Sequence, residues 1–298
     1  MTNNMMGNCE NDKKTAREIA KPAWLRVRYN PSEVSEVYTL TDSLRLNTVC
    51  RSANCPNIGE CSRHHTATFM ILGSVCTRNC RFCDISHAHG DLMEPDPEEP
   101  RRIALAAKRL GLRHVVITCV TRDDLPDGGA AQFAAVIREV RAENPSSTIE
   151  VLISDMQGSH AALDTIMAER PDVLNHNVET VRELYGAVRP GADYERSLDV
   201  LRYCAGFGTA HIKTGFMVGL GETDRQIEEL IRDVRGAGCD LLTIGQYLRP
   251  TPEHAPLCRY VTPEEFAAYR EYAMGLGFRG VAAAPLARSS YMAAEMIK

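Results

Sequence analysis

The chain has 298 residues, 44% of them hydrophobic, which is enough to bury one sizeable core. A formal charge of −5 and a pI near 6.0 exclude a general nucleic-acid binder, which would present a net basic face. No apolar leader or membrane-length run is read, and the eleven cysteines suit a reducing compartment, so the expectation is a cytoplasmic protein whose clustered thiols serve metals or catalysis.

Residues 1–20 are polar without a clear period and read as a poorly ordered arm. Residues 21–65 form an N-terminal extension in which Cys50, Cys55 and Cys61 stand at C-x4-C-x5-C spacing. Three thiols without a fourth leave two readings open. One is an iron-sulfur cube completed elsewhere; the other is a zinc ion completed by His64 or His65.

The run Thr68-Phe69-Met70-Ile71-Leu72 reads as a buried strand, and it feeds the loop Cys76-Thr77-Arg78-Asn79-Cys80-Arg81-Phe82-Cys83. Its three thiols, at C-x3-C-x2-C spacing, can converge on one centre. A cube held by three cysteines keeps one iron open to a cofactor; a zinc knuckle would need His87 or His89. Pro97 and Pro100 mark the entry to a helix. Strands are then expected at His114–Thr118, Thr148–Ile153, Asp172–Asn175, His211–Val218 and Leu241–Gly245, each followed by a helical pattern.

Six β/α units with apolar runs such as Val115-Val116-Ile117 predict an α/β fold, a parallel sheet covered by helices. The expected architecture is a partial (β/α)6 TIM-like barrel over residues 66–280, flanked by the N-terminal extension and a C-terminal segment, 281–298. Ligands of such sheets sit beyond the carboxyl ends of the strands.

With its aromatic Phe82, the Cys76–Cys83 loop resembles the C-x3-C-x-aromatic-C signature of radical S-adenosylmethionine enzymes. The upstream cluster, including Cys55-Pro56-Asn57-Ile58, resembles the auxiliary 4Fe-4S site of lipoyl synthases, and Arg288-Ser289-Ser290-Tyr291 resembles their serine-bearing C-terminal motif. The likeness runs from Lys21-Pro22-Ala23-Trp24-Leu25 to that tail, through Arg122–Gly129, Asn175–Val181, Met217–Thr223 and Leu241–Tyr247. Departures from the usual family pattern stand at Arg51-Ser52, Cys119 and Ala287, and none removes a proposed ligand.

The resemblance implies two 4Fe-4S clusters, one on Cys76, Cys80 and Cys83 that binds S-adenosylmethionine, the other on Cys50, Cys55 and Cys61 with Ser289, or else Ser290. It implies that a deoxyadenosyl radical removes hydrogen from C6 and then C8 of a protein-bound octanoyl chain, with the auxiliary cluster donating both sulfurs. No acid-base pair is expected, because unactivated C–H bonds offer none a handle. For the cofactor, the backbone of Gly128 and Gly129 and the carboxylates of Asp123 and Asp124 are candidate contacts, with a helix-capping turn as the alternative. Asn177, Glu179 and Arg189 are further candidates, ordinary strand-end hydrogen bonds being the alternative.

Implied partners are octanoylated lipoyl carrier domains (2-oxoacid dehydrogenase subunits or the glycine cleavage H protein), an electron donor such as ferredoxin or flavodoxin, and an iron-sulfur carrier that rebuilds the auxiliary cluster. Neither nucleic acid nor membrane is expected. The rival readings are another sulfur-inserting radical enzyme of the biotin synthase kind, which lacks the N-terminal cysteines, and a non-catalytic zinc-stabilised scaffold. Cys9, Cys119, Cys204, Cys239 and Cys258 lack ligand spacing and read as small hydrophobes.

Overall fold

The computed structural model describes residues 20–26, 35–52, 57, 61, 66–87, 92–290 and 293–297. The expected N-terminal arm, apart from Ala20, lies outside them. Eight strands form one sheet in sequence order: β1 (Asn47–Thr48), β2 (Thr66–Ile71), β3 (His114–Cys119), β4 (Thr148–Leu152), β5 (Val173–Asn175), β6 (His211–Val218), β7 (Leu241–Gln246) and β8 (Gly280–Ala284). Strands β2 to β8 are parallel, and β1 pairs antiparallel with β2.

Parallel neighbours need a crossover, and a helix supplies one after each strand from β2 to β7. The six expected units are all present as β2 to β7, and the sheet does not close: among the described residues β8 pairs only with β7. The result is a partial barrel. Its last strand, β8, crosses the expected boundary at residue 280.

Side chains alternate across a strand, and here the two faces differ in character. Phe69, Ile71, Val115, Ile117, Ile149, Val151, Leu174, Ile212, Phe216, Leu242 and Ile244 point to the helices and join the main core. The register puts Thr68, Val116, Thr118, Glu150, Leu152, Asn175, Lys213, Gly215, Thr243 and Gly245 on the opposite, concave face. That face carries polar side chains among apolar ones, with Glu150, Asn175 and Lys213 fully buried.

Helices are fixed on the outside by their own termini. Thr223 caps Asp224–Gly236 in a reciprocal box with Gln226, and Thr262 with Glu265 does the same for Pro263–Gly275. Ile227, Leu230, Ile231 and Val234 recur at helical spacing and bury the inner stripe of the first of these. Thr223→Ala is expected to lower stability by about 1 kcal/mol and Ile231→Ala by about 2–5 kcal/mol. Anaerobic urea unfolding checks this; a loss from Ile231→Ala no larger than that from Thr223→Ala would mean that the core face does not dominate the hold on the helix.

Candidate active site

Beyond the carboxyl end of β2, the backbone turns through Leu72 and Gly73, both at positive φ, into the cysteine loop. That loop is tied to four others. Thr77 N–H and Oγ1–H both reach the Thr121 carbonyl after β3, at 3.0 Å each. Arg81 N–H reaches Val188 O after β5 at 2.9 Å, and Ala255 N–H, after β7, reaches Arg81 O at 2.7 Å. His254 Nε2 donates to Cys83 O at 3.0 Å.

The fourth tie, to the loop after β4, is ionic. Arg78 is 8% exposed; it donates to both oxygens of Asp123, at 2.6 and 2.8 Å, and to Asp155 at 2.7 Å. Burial would raise the Asp155 carboxyl, but the hydrogen bond and charge of Arg78 outweigh it and bring its pKa down to about 2. Asp155 also accepts from Gln157 N–H, which closes the turn after β4.

The three thiols are half-buried and electrostatically coupled: Cys83 feels both Cys80 and Cys76. Burial pushes the Cys80 thiol up and the Cys83 thiol to about 12, so a thiolate is disfavoured there unless a metal takes the place of the proton. Among the described residues no three His, Cys, Asp or Glu side chains form a group able to hold a single metal ion, and His87 is exposed. Three soft thiols on one loop are the donor chemistry that an iron-sulfur cluster takes.

Next to Cys80 stands Arg189, buried, with its Nε lacking any hydrogen-bond partner. A buried guanidinium with an orphaned N–H fits an anionic ligand group. Its orientation is set by a directed chain. Burial, with the Arg189 charge, holds His176 at about 4, so its ring is neutral. Nδ1–H then donates to Ile153 O at 3.0 Å, leaving Nε2 to accept from Ser197 at 3.0 Å. Tyr185 O–H donates to Ser197 Oγ at 2.6 Å, and Arg189 Nη1 donates to Tyr185 at 2.6 Å and to Asn177 O at 2.9 Å.

Glu179 is half-buried beside Arg189, and burial raises its carboxyl despite that charge. Its φ of 68° is left-handed, unusual for a residue with a side chain, and two backbone bonds, Glu179 N to Gly215 O and Met217 N to Glu179 O, hold it there.

The C-terminal strap crosses this mouth. A Cβ on Gly245 would stand 2.3 Å from Ala287 O, so only glycine lets the strap lie on β7; one on Gly215 would crowd Asn177 Oδ1 and Thr243 O. The Ser289 hydroxyl accepts from Asn177 Nδ2 at 2.8 Å and is 3.1 Å from its Oδ1. Asn57, in the segment between Cys55 and Cys61, donates from Nδ2 to Leu286 O at 2.7 Å. Residues 229 apart in sequence thus bring the N-terminal cysteine segment to the serine-bearing strap. Cys61 is half-buried and bonded through its N–H to Asn57 O; Cys50 lies in the helix Val49–Ser52, and Cys55 and Tyr291 lie outside the described residues.

Of the expected cofactor contacts, Arg189 and Glu179 face the thiols and Asn177 faces Ser289. Asp123 is engaged by Arg78 and Asp124 by Arg122, bidentate at 2.8 and 2.7 Å. Gly128 and Gly129 fill the capping alternative: their N–H groups bond to Leu125 O and Asp127 Oδ1, ahead of the helix Ala130–Glu143. Missed in the sequence were Arg78 with Asp155, the His176–Tyr185 chain, and Glu222, which is buried and accepts from Gly219 and Leu220 N–H at the end of β6. Also missed were Glu150 and Lys213; opposite charges inside two strands otherwise read as buried were the available signal. Cys204 and Cys239 are fully buried.

Comparison with known proteins places this geometry. The sequence pattern of the Radical SAM superfamily matches residues 70–234. The chain is 52% identical over 276 residues to a lipoyl synthase of Caldanaerobacter subterraneus subsp. tengcongensis, covering 92% of this chain and 96% of that protein. It is 53% identical over 273 residues to a lipoyl synthase of Nitratidesulfovibrio vulgaris, covering 91% of each, and 51% identical over 283 residues to one of Caldicellulosiruptor saccharolyticus, covering 94% and 99%. Among solved structures, methylornithine synthase matches with a TM-score of 0.54 at 14% identity over 85% of this chain and 82% of that one, and Streptococcus suis SuiB with 0.54 at 13% over 76% and 52%; these likenesses concern the fold alone. With half its residues shared with such relatives along nearly its whole length, the chain belongs to the lipoyl synthase family of the radical SAM superfamily.

Proposed function

We propose that this chain inserts two sulfur atoms, at C6 and C8, into an octanoyl group carried on a lysine of a lipoyl carrier domain. Membership in the superfamily implies one 4Fe-4S cluster with S-adenosylmethionine, and Cys76, Cys80 and Cys83 are the thiols for it. Cys50, Cys55 and Cys61, with Ser289, are proposed to hold a second, sulfur-donating cluster. The observation that carries this reading is the 2.7 Å bond from Asn57 to Leu286 O, because it joins the two sequence segments that such a site would need. When bound, the clusters and cofactor supply one-electron chemistry and sulfide.

The chain's own residues position and enclose. Arg189, with its orphaned Nε, is the proposed partner of the cofactor carboxylate, and Glu179 of its amino group. Asp123 and Asp124 act through Arg78 and Arg122, holding the loops around the thiols. The proposed setting is the cytoplasm, and no helix among the described residues is long and apolar enough to cross a membrane. Carrier domains of 2-oxoacid dehydrogenases or the glycine cleavage H protein, a ferredoxin or flavodoxin, and an iron-sulfur carrier complete the proposal.

Anaerobically reconstituted protein, given S-adenosylmethionine, a strong reductant and an octanoylated lipoyl-domain peptide, is expected to add two sulfurs, seen by mass spectrometry, and to release 5′-deoxyadenosine. Cys76→Ala is expected to abolish both products. Cys61→Ala is expected to retain deoxyadenosine and lose sulfur; deoxyadenosine without sulfur from the unaltered protein would reject the substrate.

Arg189→Lys keeps the charge and loses the planar fork. Equilibrium dialysis is expected to read cofactor binding weakened by roughly tenfold or more, with deoxyadenosine formation reduced in step. Unchanged affinity would remove Arg189 from the cofactor site.

A further inference from the structure

Two charged side chains lie where strands of this kind are otherwise apolar. Lys213 on β6 and Glu150 on β4 are fully buried on the concave face and meet across β5, with Lys213 Nζ 2.9 and 3.2 Å from the two carboxylate oxygens. Glu150 is held from two further sides, by Asn175 Nδ2 at 3.3 Å and His114 Nε2 at 3.2 Å. Burial raises its carboxyl, but the charge of Lys213 and the bond to His114 outweigh that and keep it below the ordinary range. An ion pair this deep contributes little net stability, since desolvation offsets the attraction, so its presence calls for another account.

An ammonium has three N–H donors. The carboxylate engages Lys213 through both oxygens, and Lys213 also donates to the backbone carbonyl of Ser289, at 2.5 Å. Ser289 is thus gripped twice: its carbonyl by Lys213, its hydroxyl by Asn177. The grips differ in kind. The first is charged and buried and fixes main chain; the second involves a hydroxyl that one χ1 rotation can redirect.

We propose that Lys213, fixed by Glu150, is a positioning residue that anchors the Ser289 carbonyl and so sets where the Ser289 hydroxyl stands at the barrel mouth. This rests on the reading of Ser289 as a ligand of the auxiliary cluster. The anchor lets the hydroxyl change partner while the strap stays in place, as a ligand that must leave and return requires. It also selects between the two adjacent serines, since the charged grip falls on Ser289.

The test uses the holoprotein. Lys213→Met alone leaves a buried carboxylate unpaired and risks misfolding, so the double variant Lys213→Met/Glu150→Gln, which buries no lone charge, is compared with it and with Ser289→Ala. Two readouts are taken: hydrogen exchange across residues 286–290, and the Mössbauer signature of the auxiliary cluster. A folded double variant is expected to exchange there roughly tenfold faster and to show the auxiliary signature of Ser289→Ala, while the signature of the cofactor-binding cluster stays as in the unaltered protein. A merely structural pair would not move one cluster's signature alone.

Unaltered exchange in the double variant overturns the proposal. So does faster exchange with the unaltered auxiliary signature, provided that Ser289→Ala itself changes that signature. If Ser289→Ala leaves the signature unchanged, the ligand reading falls by itself. Exchange then decides the anchor alone, faster exchange supporting it and unaltered exchange rejecting it.

Discussion

A parallel strand has two faces, and helices can cover only one of them in an open barrel; the other must be filled from inside. In this chain the outer face is given to aliphatic packing and the inner one to buried polar groups that grip whatever crosses the mouth. Buried polar groups are tolerable only when paired. Lys213, His114 and Asn175 converge on Glu150 across four strands, and the bond that Lys213 sends beyond this group ends on the strap. The inner face is therefore an ordered scaffold for a terminal segment.

Precision at the mouth comes from over-determination. The cysteine loop has only a short backbone of its own, yet it is bonded to the loops after β3, β4, β5 and β7. Arg78 fixes two of these loops with one planar fork, a geometry that an ammonium could not reproduce. The His176–Ser197–Tyr185–Arg189 chain works in the same way, because a neutral imidazole facing a backbone carbonyl admits only one order of donors. Such networks are poor sources of net stability but strong sources of geometry, and geometry is what a cofactor-positioning site demands.

Sequence pattern reveals much of this fold and only part of the site. Strands β2 to β7 were legible because each carries a run or an alternation of apolar residues of strand length and is followed by a helical pattern. β8 was not, since Gly280-Val281-Ala282-Ala283-Ala284 offers little of the β-branched or aromatic character that marks a strand, and β1 is two residues long. The cysteine spacing was legible because one loop holds all its members. Asp123 and Asp124 read as free carboxylates because spacing does not reveal which arginine folds back on them: Arg122 is nearly adjacent, but Arg78 comes from another loop. The Asn57–Leu286 bond joins opposite ends of the chain, and no local periodicity encodes it.

On the proposed ligand set, the difference between thiolate and serine gives the strap its logic. A thiolate is soft and binds iron-sulfur centres durably, whereas a serine oxygen is a harder, weaker match. A weak ligand on a loose terminus would be lost to solvent, and the entropy of recovering it would recur at every turnover. Fixing the main chain through Lys213, Gly245 and Asn57, with the hydroxyl resting on the neutral Asn177 amide, removes that cost without strengthening the ligand itself. A replaceable ligand on an anchored backbone is thus the arrangement that the proposed sacrificial cluster would require, and the Lys213 bond to the Ser289 carbonyl is the contact that would anchor it.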